Sequence, residues 1–126
     1  MKLKDIHKKL KDEHSESVII IKYGNFYRVF DDDTYILWKF TNYKVHDSRL
    51  GFPKEVLPKI KDILNTISTN YLIYENHSYN NYSFINNQYN IVLKISKREY
   101  KKSIILDKLK NYDCLEDIEI LLEKYE

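Results

Sequence analysis

Apolar residues recur along this chain at two spacings, one typical of helices and one typical of strands. Near the start, Leu3, Ile6 and Leu10 stand three and four positions apart with charged residues between them, which is the pattern of an amphipathic helix. The clearest helical stripe runs through residues 54–68, where Pro58 is tolerated because it falls in the first turn. Amphipathic helices are therefore predicted over residues 3–13, 54–68, 97–109 and 115–125.

Short apolar and β-branched runs bounded by turn residues predict strands. Residues 18–23 have the composition of a buried strand, Gly24-Asn25 turns the chain, and residues 26–30 continue as a second strand. Further strands are predicted over 43–47 and 71–75. The last of these is expected to pair in parallel with an earlier strand, because a helix connects them.

The Asn-rich stretch that follows predicts a β-hairpin. Its two strands would be Tyr79–Ile85 and Gln88–Ile95, joined at Asn86-Asn87, because asparagine tolerates the positive φ of a tight turn.

Three consecutive aspartates, Asp31 to Asp33, predict the start of another helix, which extends to about Thr41. Their side chains offer hydrogen-bond acceptors and negative charge where the first turn of a helix favours both. Together the elements predict a single α/β domain over residues 1–126, with a mixed β-sheet flanked by α-helices and two C-terminal helices.

Charge is distributed unevenly, although the net charge is only +2. Residues 94–110 contain seven basic side chains against two acidic ones, whereas residues 111–126 contain six acidic side chains against one lysine. This division predicts a phosphate-facing element beside an acidic element that faces elsewhere. Two solvated helices that attract each other would give the same pattern.

Targeting and redox features are few. Residues 1–13 are charged and lack the apolar core of a signal peptide, and no apolar run approaches the ~18 residues that cross a bilayer. Cys114 is the one cysteine, which excludes an internal disulfide. We expect a soluble cytoplasmic protein.

The turn between the first two strands carries the clearest functional signal. It reads Lys22-Tyr23-Gly24-Asn25-Phe26-Tyr27, and the period of a strand places Phe26 and Arg28 on one face. With the Leu50-Gly51-Phe52-Pro53 turn, the following helix and the strand 71–75, this corner resembles the amino-terminal mismatch-recognition domain of the MutS family over about residues 3–75.

The resemblance implies a fold and a binding site. In that family the corner reads Gly-Asp-Phe-Tyr-Glu, its phenylalanine wedges beside a mispaired base from the minor groove, and its glutamate hydrogen-bonds that base. By position, Phe26 is the wedge and Arg28 occupies the glutamate position, so an acceptor has become a cationic donor. Arg28 would therefore favour bent or distorted duplex over one particular mispair.

The expected function is a non-catalytic module that binds mismatched or distorted duplex DNA. The chain has no Gly-x-x-x-x-Gly-Lys-Ser/Thr loop, so the ATPase portion of a MutS protein is absent from it. No catalytic residue, cofactor or metal is expected, and a protein partner could dock on the acidic C-terminal helix. The predicted nucleic-acid-binding residues are Phe26, Arg28, Lys94, Lys97, Arg98, Lys101 and Lys102.

Other interpretations remain open at this point. The chain could be an interaction adaptor that kept the fold and lost DNA recognition, accessory to a nucleic-acid enzyme. A small metal-dependent nuclease would need Asp31 to Asp33, Asp47 or Glu75 to converge. His46-Asp47 could form a base and its orienting group, although adjacent strand residues point to opposite faces.

Two further groups of side chains have simple interpretations. Four tyrosines could stack on single-stranded bases, although such residues more often cover a sheet: Tyr79, Tyr82, Tyr89 and Tyr100. The histidines His7, His14 and His77 lack the spacing of metal ligands and are predicted to lie on the surface.

Overall fold

A computed structural model describes residues 2–109 and 123, and this part of the chain has an α/β fold. Its strands form a five-stranded mixed sheet, and four α-helices accompany them. In chain order the elements are α1 (Leu3–Glu13), β1 (Val18–Tyr23), β2 (Phe26–Phe30), α2 (Asp32–Thr41), β3 (Arg49–Pro53), α3 (Leu57–Thr66), β4 (Tyr71–Glu75), β5 (Ser78–Tyr82) and α4 (Tyr89–Leu109). Within these residues, every helix is too short or too polar to cross a bilayer.

The strands lie in the order β3-β2-β1-β4-β5 and combine parallel with antiparallel neighbours, which confirms the predicted mixed sheet. β1 pairs in parallel with β4, as the connecting helix predicts, and the other neighbours are antiparallel. β1 and β2 join through the predicted Gly24-Asn25 turn, where Gly24 has a φ of +61°. A side chain is rarely found at such a φ, so glycine suits this position.

The two faces of the sheet are covered unequally. The first face, with Val18, Ile20, Tyr27 and Val29, packs against α2, α3 and the first turns of α4. The second face packs against α1 through Leu10 and the side chains Ile19, Ile21, Phe30 and Leu72. α1 is the one described helix whose residues belong to this second cluster, and the cluster contains no described residue of β3.

The predicted strand over residues 43–47 is wrong. The chain instead reverses at Asp47 and Ser48, whose φ angles are +50° and +56°, and β3 begins only at Arg49. His46 and Arg49 exchange backbone hydrogen bonds of 3.0 and 3.1 Å across this turn. Because the reversal falls at Asp47-Ser48, the residues on its far side pair with β2, and Gly51-Phe52-Pro53 lies inside β3.

The predicted hairpin over residues 79–95 is also wrong. β5 pairs with β4 instead, and α4 begins at Tyr89, well before the predicted helix start at residue 97. The half-buried and buried residues Tyr89, Val92, Leu93 and Ser96 have helical spacing, which outweighs the turn propensity of the asparagines. The predicted helix over residues 115–125 lies outside the described residues.

The aspartates at the start of α2 have a different role from the predicted one. Asp31 is the N-cap residue but makes no side-chain capping bond. Asp33 is fully buried and accepts hydrogen bonds from the Ile19 N–H at 2.9 Å, Lys11 Nζ at 2.8 Å and the Tyr89 hydroxyl at 2.6 Å. One carboxylate thus joins α1, β1, α2 and α4.

Asp33, Lys11, Ile19 and Tyr89 form what we call the buried cluster. Two further findings concern side chains at this cluster. His7 was predicted at the surface, but it is buried, with Nε2 3.8 Å from Asp33 Oδ2 and its ring packed on Phe30. Burial, followed by the negative charge of Asp33, raises the pKa of the Tyr89 hydroxyl. Tyr89 therefore serves as a neutral donor to the carboxylate.

We expect His77→Gly to raise the free energy of unfolding by about 0.5–1 kcal/mol. The two residues between β4 and β5, Asn76 and His77, have φ angles of +54° and +62°, as a type I′ turn requires. Asn-Gly is the preferred pair for this turn because glycine adopts positive φ without steric cost. Urea unfolding measures the change, and His77→Ala, which keeps a Cβ, should give no stabilisation. Equal effects of both variants would contradict this account of the turn.

Candidate nucleic-acid interface

The β1–β2 corner presents Phe26 to solvent. Phe26 is the first residue of β2, pairs with Tyr23 and Pro53, and is 51% exposed. Its neighbour Tyr27 points into the first face and is buried, so the strand alternation sends Phe26 to the second face. Since α1 packs further along the sheet, this phenylalanine is left uncovered, as a wedge would have to be.

Arg28 lies two residues further along the same face. Its guanidinium carbon is 5.1 Å from the centre of the Tyr23 ring, within the range of a cation–π contact. Across the strand pair stands Gly51, and a Cβ placed there would lie 3.7 Å from Arg28 Cγ. The side chain of Arg28 therefore packs beside Tyr23, and Gly51 on the neighbouring strand adds no side chain next to it.

A solvent-open cleft of about 490 Å³ begins at these two residues, and we name it the β2–β3 cleft. It lies over the second face of β2 and β3 and against the turn that precedes β3. In the described part of the chain its lining residues are Phe26, Arg28, Lys44, His46, Asp47, Arg49, Leu50 and Gly51. Three of these residues are cationic and one is acidic, so the cleft is positively charged beside an exposed aromatic ring.

The cations of the cleft have no counter-ion among residues 2–109. Arg28, Lys44 and Arg49 form no ion pair there, whereas Asp47 Oδ2 lies 3.4 Å from His46 Nε2. Arg49 Nε is buried and has no acceptor in the described part of the chain. A buried N–H without an acceptor is costly, so a shift of the Arg49 side chain that brings Nε to a bound acceptor would be favourable.

Lys44 and Arg49 were missed from the sequence. Arg49 joins the site because β3 pairs with β2, which places Arg49 opposite Phe30 and on the same face as Arg28. The sequence did not predict this position for Arg49, because a strand over residues 43–47 would leave Arg49 in the turn that follows it.

On the first face, contacts of Tyr27 hold the β1–β2 corner in place. The Tyr27 hydroxyl donates to Glu75 Oε2 at 2.9 Å, and Lys22 Nζ lies 3.9 Å from the same oxygen. The Tyr27 ring stacks on Phe52 at 5.7 Å between centroids. Burial first, then the hydrogen bond to Glu75, raises the pKa of Tyr27 from 10.0 to about 12.

Alkaline pH should weaken the fold through Tyr27. Its pKa is higher in the folded state than in the unfolded state, so its contribution is complete below pH 10 and is lost as the pH rises through about 12. Between these values we expect the wild type to lose about 2 kcal/mol more unfolding free energy than Tyr27→Phe. Urea unfolding of both proteins at pH 8, 10, 11 and 12 measures this, and parallel pH curves would contradict it.

The predicted cations of α4 lie on a different surface. Lys94, Lys97, Arg98, Lys101 and Lys102 are all exposed. However, α4 packs with α2 on the first face, whereas Phe26 and Arg28 project from the second. Lys97 Nζ also lies 3.5 Å from Asp32, and Lys102 Nζ lies 3.8 Å from Glu99. The two predicted parts of the site are therefore not brought together on one side of the sheet.

Most of the tyrosines considered for base stacking pack within the domain. Tyr82 stacks on Tyr71 at 4.6 Å, Tyr100 packs on Trp38 at 5.0 Å, and Tyr89 is buried at Asp33. Tyr79 on β5 is 43% exposed, and its ring packs edge-on against His14 at 5.4 Å between centroids.

The acids considered for a nuclease stand apart. Asp33 accepts hydrogen bonds within the buried cluster, Glu75 accepts one from Tyr27 and lies near Lys22, and Asp47 lies near His46. In the described part of the chain, no three His, Cys, Asp or Glu side chains form a group that could hold a metal ion.

Comparison with known proteins adds no relative to this description. No protein-family model matches the chain, and no curated protein matches its sequence. The interpretation of the site therefore depends on its own geometry.

Proposed function

We propose that this protein is a non-catalytic, cytoplasmic nucleic-acid-binding module that recognises mismatched or otherwise distorted duplex DNA through the corner at Phe26. The observation that carries the proposal is the exposed Phe26 ring beside the β2–β3 cleft, whose cations have no counter-ion in the described residues. A MutS-like recognition domain would use the same corner.

The wedge mechanism requires a balance of two energies. Inserting an aromatic ring between base pairs costs a few kcal/mol of stacking, which is least where the duplex is already bent or mispaired. Contacts between cations and phosphates recover that cost by releasing counter-ions from the nucleic acid. Phe26 supplies the ring, and Arg28 and Arg49 supply two of the cations.

Arg28 determines which features of the duplex are recognised. A guanidinium donates hydrogen bonds and cannot accept one, so it cannot replace a glutamate that accepts from a base. It suits a phosphate or a narrow minor groove instead. Recognition would then follow the shape and deformability of the duplex.

An adaptor function is the second candidate, and one observation favours it. Ile91, Ile95 and Leu106 are exposed on one side of α4, at 59%, 43% and 60%. Their positions fall on one helical stripe, which is the arrangement that a protein partner would use. The acidic C-terminal segment considered for the same role lies outside the described residues.

Salt dependence tests the proposed interface. The affinity for a fluorescein-labelled duplex with a three-base bulge is measured by anisotropy over a range of salt concentrations. Arg28→Ala should lower the slope of log affinity against log salt by about one, because one phosphate contact is lost. Lys101→Ala on α4 is the matched comparison and should leave the slope unchanged. An affinity that does not change with salt would contradict the proposal.

A further inference from the structure

The charge of the β2–β3 cleft points to a more specific ligand than the backbone of a continuous strand. Among the described residues, Arg28, Lys44 and Arg49 line one cleft with a single acid, Asp47. An internal phosphodiester carries one negative charge, whereas a terminal phosphate monoester carries about 1.5–2 at neutral pH and has three acceptor oxygens. The excess of cations therefore matches a monoester better than a diester.

Arg49 gives a second, independent observation. Its Nε is buried, yet no described residue offers it an acceptor. Guanidinium groups bind phosphate through two parallel N–H donors, commonly with Nε as one of them. Nε is out of contact with solvent in this structure, so the side chain must shift for a phosphate oxygen to reach it, and that contact would then satisfy the donor.

The shape of the cleft agrees with a strand end. Its volume of about 490 Å³ falls within the range of small-ligand sites, which is large enough for a phosphate with its sugar and base. Phe26 lies at its border and could stack on the terminal base. Gly51 contributes no side chain to the cleft, and a Cβ there would be in ordinary contact with Arg28 Cγ, at 3.7 Å.

We infer that the β2–β3 cleft binds the terminal phosphate of a nucleic-acid strand, so that a distorted duplex with a phosphorylated strand break is bound more tightly than one without it. This inference rests on the proposed function and names the ligand of the same site. Arg49 and Arg28 bind the phosphate oxygens, Lys44 adds charge, and Phe26 stacks against the base at the break.

The test compares duplexes that differ at a single group. Nicked duplexes of one sequence carry a 5′-phosphate, a 3′-phosphate or hydroxyls alone at the nick, and anisotropy measures the affinity for each. We expect a phosphate at one of the two ends to raise the affinity about tenfold or more over the hydroxyl form. Inorganic phosphate at matched ionic strength should compete with the phosphorylated nick.

Two variants examine the cleft itself. Gly51→Val should abolish the gain from the phosphate, because its methyl groups would fill the cleft. The fold should accept this side chain, since a Cβ at Gly51 would make only ordinary contacts, 3.6 Å from the Tyr27 carbonyl oxygen. Arg49→Gln should also abolish the gain, and Lys59→Ala on α3 should not. Thermal melting checks that each variant is folded.

The outcomes separate this inference from the proposed function. Equal affinity for phosphorylated and hydroxyl nicks, with tight binding to both, overturns the terminal-phosphate site and leaves duplex recognition standing. A phosphate gain that persists in both Gly51→Val and Arg49→Gln also overturns the site. Absence of binding to every duplex overturns both proposals.

Discussion

Asp33→Asn is expected to lower the free energy of unfolding by about 3–5 kcal/mol, the usual effect of removing one partner from a buried ion pair. The substitution keeps the shape of the side chain but removes its charge and replaces one acceptor with a donor. Three groups now donate to this carboxylate: the Ile19 N–H, Lys11 Nζ and the Tyr89 hydroxyl. At least one of them would lose its acceptor, and Lys11 would lose its counter-ion.

Such a loss is large compared with the stability of a domain of this size, which is about 5–15 kcal/mol. Urea unfolding followed by circular dichroism measures it. Asp32→Asn is the matched control, because Asp32 is half-exposed and its ion pair with Lys97 is 3.5 Å long, so the change should stay below about 1 kcal/mol. If the two variants unfold at the same urea concentration, the buried cluster does not have the role described above.

Phe26→Ala is expected to reduce the preference for bulged over matched duplex about tenfold or more, because stacking of a base on an aromatic ring contributes about 1–3 kcal/mol. The fold should be unaffected, since Phe26 is 51% exposed and is absent from both clusters of the core. Binding to the matched duplex should change little, because it depends on cations and not on the ring.

Phe40→Ala provides the control for this variant. Phe40 is also exposed, at 39%, but it lies on α2, which packs on the first face of the sheet. The same chemical change at this position should leave the preference for a bulge intact. Equal losses in Phe26→Ala and Phe40→Ala would indicate a general effect on the protein and would contradict the wedge.

The sequence predicted most of the first 75 residues correctly because their patterns are local. The strands on either side of Gly24 and the helix over residues 3–13 are confirmed, and the helix predicted over residues 54–68 is found as the shorter α3, Leu57–Thr66. Each depends on periodicity, on a glycine at positive φ or on a proline in a first turn, and these are properties of a few neighbouring residues.

The errors arise where distant contacts decide the structure. The hairpin predicted over residues 79–95 followed the turn propensity of asparagine, but packing of Tyr89 against Asp33, 56 positions earlier, favours a helix start there. The buried position of Asp33 could not be inferred, because an aspartate in an acidic run is normally exposed.

The part of the candidate site that depends on local periodicity was predicted, and the part that depends on the pairing of strands was not. The strand period correctly places Phe26 and Arg28 on one face, and the exposure of Phe26 agrees with a binding role. Arg49 and Lys44 join them only through the pairing of β2 with β3 and the turn at Asp47-Ser48. The α4 cations were grouped with the corner by charge alone, which carries no information about the face of the sheet on which they lie.

The most direct measurement is the affinity of the wild-type protein for bulged, mismatched and fully matched duplexes of one sequence, by fluorescence anisotropy at two salt concentrations. The proposed function predicts tighter binding to the distorted duplexes than to the matched one, and weaker binding to all of them at the higher salt. Equal affinity for distorted and matched duplexes, or no binding at the lower salt, would contradict it.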